Sequence, residues 1–102
     1  MNSRRKGADG ERDLAKTLRS LGYSGARRGQ QFAGSPDSPD VVGIDGYHIE
    51  CKRTERTDLY GWIEQAKRDC GSNVPVVMHR KNGHGWLAIL TLEDFVKVIE
   101  HD

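Results

Sequence analysis

Apolar positions along the chain fall into short runs separated by glycine, proline and polar residues, and their spacing predicts elements in the order αβββαββα. Leu14, Leu18 and Leu21 recur at i, i+4 and i+7 with Ala15 beside them, which is one face of a helix from Ser3 to Leu21, stopped by Gly22. A short strand is expected over Tyr23–Arg28. Residues 29–39 hold Gly, Ser and Pro with little periodicity and form a loop, and loops of that length in compact domains are usually functional or mobile. Val41–Ile44 and Tyr47–Lys52 read as a hairpin through Asp45-Gly46. Leu59, Trp62, Ile63, Ala66 and Cys70 give a second amphipathic helix ending at Gly71. Val74–His79 and Trp86–Leu90 are two further strands, with a tight turn expected at Asn82-Gly83. Thr91 then caps a final helix, with Asp94 three positions on, and Leu92, Phe95, Val96 and Ile99 are expected to pack it inward. Together these describe one α/β domain spanning residues 1–102, with no repeat and no internal boundary.

A chain of 102 residues supports one modest core and leaves no room for a separate reading head. No apolar run nears the roughly 18 residues of a membrane span, and no apolar stretch follows the basic N-terminus as in a signal peptide. The sequence therefore reads as that of an intracellular, cytoplasmic protein. Its net charge of +1 conceals an asymmetry: residues 1–28 carry eight Lys and Arg against three Asp and Glu, whereas the remainder carries eight against twelve. A basic segment beside an acidic remainder suits a surface that meets phosphate and a pocket that holds metal, although a solvated arginine-rich helix has the same composition. Cys51 and Cys70 lie nineteen positions apart, which matches no zinc-finger or ribbon spacing even with His79 and His84 added. They are expected to be reduced thiols, with Cys51 turned into the core.

The candidate chemistry sits on the hairpin. Residues two apart on a strand share a face, so Glu50 and Lys52 project side by side while Cys51 faces away. Asp40, after Pro39, stands at the mouth of the preceding strand. Two carboxylates and an ammonium at one end of a sheet can hold a hard divalent cation and direct a water at phosphorus. Turn length decides whether they meet. A two-residue turn sets Asp40 opposite Cys51, and a three-residue turn over Ile44–Gly46, with Gly46 left-handed, sets Asp40 opposite Glu50. Glu11 lies on the apolar face of the first helix, where a carboxylate either reaches solvent at a fraying end or serves the same site. Without such convergence, Glu50 and Lys52 would be an exposed ion pair contributing about 1 kcal/mol or less. Trp62 and Trp86 read as core anchors.

The run RRKGADGERDLAKTLRSLGY, the loop GSPDSPDVVG and the strand YHIECKRT together resemble the archaeal-type Holliday junction resolvases and their phage relatives, members of the PD-(D/E)XK nuclease superfamily. The likeness covers roughly residues 3–70 and preserves the order Glu11, Asp40, Glu50, Lys52. It implies a restriction-endonuclease-like α/β core, with a mixed sheet of about five strands flanked by helices. It also implies an acidic cluster of Glu11, Asp40 and Glu50, Lys52 as catalytic lysine, and Gln65 as a polar residue on the following helix, where a solvated flank is the alternative. The serine on the loop before the aspartate would be Ser35, with Ser38 competing. The implied cofactor is Mg²⁺ or Mn²⁺ held by Asp40, Glu50, the Cys51 backbone carbonyl and Glu11. Arg4, Arg5, Lys6, Arg12, Arg27 and Arg28 would contact phosphates of branched DNA. The implied protein is a homodimer that resolves four-way junctions, since two symmetric cuts need two sites. A phage or restriction-type nuclease on flaps, forks or duplex is the alternative, and a non-catalytic nucleic-acid-binding module is a third reading.

Overall fold

The computed structural model describes residues 3–29 and 38–101, with side chains from residue 7 onward. The helix α1 (Ser3–Ser20) precedes the strands β1 (Arg27–Arg28), β2 (Val41–Val42) and β3 (Tyr47–Arg53). There follow the helix α2 (Leu59–Asp69), the strands β4 (Val74–Arg80) and β5 (Leu87–Ile89), and the helix α3 (Leu92–Glu100). The α/β class and the element order are those the sequence pattern predicts. The strands make one mixed sheet in the order β1-β2-β3-β4-β5. Neighbours are antiparallel except β3 and β4, which run parallel. A parallel pair cannot be joined by a hairpin, and α2 supplies the crossover.

The core is built on both faces of β3 and β4. On one face α1 lays Leu14, Ala15 and Leu18 on Ala26, Val41 and Ile49, and Cys51, Met78 and Trp86 close its margins. On the other, α2 buries Ala66, and the Trp62 ring packs 5.2 Å from that of His79. Asp13 pins α1 to the far side of the sheet, because its Oδ2 accepts from Arg80 Nη1 at 2.7 Å and from the Trp86 indole at 3.0 Å. Among the described residues no helix is long and apolar enough to cross a membrane.

Four sequence expectations need correction, each for a local reason. α1 ends at Ser20, since Gly22, with φ +113°, places its amide on Arg19 O and the Tyr23 amide on Leu18 O. That left-handed cap leaves Leu21 exposed instead of on the apolar stripe. The cap also uses up Tyr23, and Ala26 N donates back to Tyr23 O, so β1 shrinks to Arg27–Arg28. β2 stops at Val42 because Gly43 leaves the ladder with φ +103° and presses on the Gly25 backbone, where a β-carbon would find no space. The last correction concerns α3. Thr91 Oγ1 caps it through Asp94 N at 3.1 Å, as expected. Yet Leu92, Phe95, Val96 and Ile99 do not pack inward: all four are exposed and no residue of this helix is buried. An amphipathic period says that a face will be covered, and nothing about which surface covers it.

Candidate active site

The hairpin takes the longer turn. Tyr47 N donates to Ile44 O, Gly46 adopts φ +88°, and Val41 pairs with Ile49. One step outward, this register sets Asp40 opposite Glu50. The Asp40 amide donates to Ile49 O at 2.9 Å, and the strand pairing ends there. The next inward-facing amide on β3, that of Cys51, therefore has no strand carbonyl to meet and donates to Asp40 Oδ2 at 2.8 Å. The N–H and C=O of one strand residue point toward the same neighbour, so the Cys51 carbonyl faces the Asp40 side too. The Cys51 thiol points into the core as expected, and burial followed by the Asp40 charge pushes its pKa up to about 12.

Glu50 is buried, and its carboxyl shares a side-chain hydrogen bond with Asp40. Burial first, then the Asp40 charge, raises the Glu50 pKa from 4.5 to about 8, against a smaller opposing pull from Lys52. At neutral pH Glu50 therefore keeps a proton, with Asp40 as its partner. His48, two residues back on the same face and 3% exposed, places Nε2 at 2.7 Å from Glu50 Oε1. Sequence reading passed over His48, although its i, i+2 relation to Glu50 was the signal. Lys52, next along this face, holds Nζ 5.9 Å from the Trp62 ring centroid.

Glu11 enters from α1. Burial, then the Asp40 charge, raises its pKa, while Arg28 Nε donates to its Oε1 at 3.2 Å and works the other way. Asp40, Glu50, the Cys51 backbone and, through its field, Glu11 thus converge, with Lys52 beside Glu50. Other candidates do not join them. Gln65 is exposed on α2 and makes no hydrogen bond among the described residues. Arg12 pairs with Asp9 on the exposed face of α1, and Arg27 donates to Gly25 O. Arg28 is paired with Glu11, so it braces the acidic group. Ser35 lies outside the described residues, as do the side chains of Arg4, Arg5 and Lys6, while Ser38 is half-buried just ahead of Asp40.

Among the described residues no three acidic, histidine or cysteine side chains stand close enough to form an ion cage by themselves. The donors at hand are two carboxylates and a carbonyl, all hard oxygen, and burial followed by the Asp40 charge makes the second negative charge, on Glu50, costly. A divalent cation would offset the repulsion between the two carboxylates, and an all-oxygen set suits Mg²⁺ or Mn²⁺.

The mixed sheet, the αβββαββα order and the sequence Pro39-Asp40 then Glu50-Cys51-Lys52 are those of the PD-(D/E)XK nucleases. Within that class the chain belongs to the family described as "Phage putative PDDEXK endonuclease", which it matches over residues 2–102. No curated protein matches it significantly. Membership implies phosphodiester hydrolysis of endonuclease type with DNA as the substrate, in a superfamily that generally uses a divalent metal. Family membership does not extend to junction specificity, and the likeness to Holliday junction resolvases stays a resemblance.

Proposed function

We propose that this protein is a metal-dependent DNA endonuclease whose site is Asp40, Glu50, the Cys51 carbonyl and Lys52, with Glu11 in support. The observation that carries the reading is the Asp40–Glu50 pair, set face to face by the hairpin register, where burial and the Asp40 charge raise the Glu50 pKa. Asp40, Glu50 and the Cys51 carbonyl would hold Mg²⁺ or Mn²⁺. Such an ion supplies charge neutralisation at the phosphate and a lowered pKa for water. The chain's own residues do the rest. His48 fixes the Glu50 carboxyl through Oε1, and the Cys51 amide fixes the Asp40 carboxyl through Oδ2. Lys52, beside Glu50, orients the attacking water, takes its proton or stabilises the charge that develops at phosphorus. Arg4, Arg5 and Lys6 on the first turns of α1 would neutralise backbone phosphates and give affinity without base readout.

Family membership favours a phage-type nuclease acting on forks, flaps or duplex. Resolution of four-way junctions by a homodimer is the second reading. It is favoured by Glu11, which stands in the field of Asp40 as the resemblance to resolvases implies. Cleavage of a four-way junction and of linear duplex of the same sequence, each with Mg²⁺ and with EDTA, separates them. Cutting of both DNAs at similar rates supports the first reading, and junction-selective, symmetric cutting supports the second. Absence of metal-dependent cleavage on either, or on flaps and forks, refutes the nuclease reading.

A further inference from the structure

We propose that the C-terminal helix α3 is the arm of a reciprocal dimer, docking into a groove on a second copy of this chain. Leu87, Leu92, Phe95, Val96 and Ile99 are 63, 77, 47, 40 and 51% exposed. Leu92, Phe95, Val96 and Ile99 follow i, i+3, i+4 and i+7 spacing and form one stripe along α3. These four leave bare on the order of 400 Å² of apolar side chain, as large as the biggest patch on many monomers.

The same chain carries a concavity that no side chain fills among the described residues. A groove of about 530 Å³ runs beside β5, the edge strand of the sheet, with walls that include Leu59, Trp86, Leu87 and Ile89. Lys81 and His84, both exposed, also line it, as does Glu55, whose carboxylate is already engaged by Arg53 at 3.6 Å and by the Asn82 amide at 2.9 Å. Arg80, a further lining residue, is already held by Asp13, but Lys81 has no ion pair among the described residues. The polar flank of α3 is acidic, with Glu93, Asp94 and Glu100 against Lys97 alone, and Lys97 lies 3.5 Å from Asp94. A convex apolar stripe with acidic flanks and a concave apolar wall with a basic rim are complementary in shape and in charge.

A second copy is the occupant these features select. Among the described residues each chain offers an unpartnered helix face and an unpartnered groove, so a two-fold pair satisfies both at once and closes without leaving a free end. With helix face and groove wall buried on each copy, the contact removes on the order of 1,200 Å² or more, the size of a specific interface. The inference does not depend on the nuclease reading, because none of these residues belongs to the Asp40–Glu50 site.

Sedimentation equilibrium across micromolar concentrations of the full chain, paired with circular dichroism, tests it. The wild type should dimerise. Ile99→Glu and Leu87→Glu, at positions more than half exposed in the protomer, should each weaken association at least tenfold with unchanged dichroism. A mixture of the two should associate more tightly than either alone, since one intact helix meets one intact groove. Lys81→Glu should also weaken the dimer, and the pair Glu93→Lys and Glu100→Lys should restore it in that background. A wild type that stays monomeric overturns the proposal, including the case where α3 folds onto its own groove. So does a Leu87→Glu protein that dimerises like wild type, which would mean that the helices pack on each other. Charge reversals without effect would overturn it as well.

Discussion

Replacing Glu50 with glutamine should stabilise the metal-free protein above neutral pH while abolishing its chemistry. Glu50 is 8% exposed, and burial followed by the Asp40 charge raises its pKa from 4.5 to about 8. Between those values the folded chain holds a proton that the unfolded chain has released, so stability falls as pH rises through the interval. At about 1.4 kcal/mol per pH unit the upper bound is near 5 kcal/mol. Solvent at the open end of the sheet screens the pair, which reduces the effect to on the order of 2 kcal/mol. In a domain of this size that is a shift of about 10 °C in Tm. The Glu50→Gln protein does not titrate and its amide can still donate to Asp40. The assay is thermal denaturation of both proteins in EDTA from about pH 5 to about pH 9. The two should be close at the acid end and diverge in favour of the variant at the alkaline end, and Mg²⁺ should narrow the gap by stabilising the wild type. A difference in Tm that does not change with pH would refute the reasoning.

Three further outcomes follow from the geometry. Gly43→Ala should cost about 2 kcal/mol or more in urea denaturation, because the position needs φ +103° and lies against the Gly25 backbone; a loss under half of that would show that the hairpin relaxes freely. Cys51, its thiol pKa pushed up to about 12, should resist alkylation in the folded protein at pH values where Cys70 reacts, as read by mass spectrometry. Reversing Arg4 and Arg5 to glutamate should flatten the salt dependence of DNA binding and weaken all sequences alike in a fluorescence anisotropy titration; a salt-insensitive wild type would point away from phosphate contact.

The hairpin shows how far the sequence reaches into this site. Alternation put Glu50 and Lys52 on one face and Cys51 on the other, and both placements stand in the structure. Whether Asp40 joined Glu50 rested on one turn, which Gly46 settled by taking the left-handed conformation that the three-residue form requires. His48 was missed because a histidine on a buried strand looks like core until its partner is seen, and that partner lies two residues away on the same face. The ends of α1, β1 and β2 were read too long, since glycine caps and close backbone approaches are tertiary events that hydrophobic period does not encode. α3 was read as packed because a period of 3.6 reports only that one face is apolar. Its true surroundings depend on surfaces outside the helix, so its length and cap were legible and its burial was not.

Metal-dependent cleavage by the wild type and by Asp40→Asn, measured side by side with their DNA affinity, tests the central claim most directly. Asp40 holds the Cys51 amide and faces Glu50, so its amide variant should keep the fold and the arginines proposed to bind phosphate while losing the charge that would hold the ion. The account predicts cleavage with Mg²⁺ and none with EDTA for the wild type. For the variant it predicts a rate at least a hundredfold lower, with DNA affinity within about threefold. An Asp40→Asn protein that cuts DNA at near the wild-type rate would contradict it.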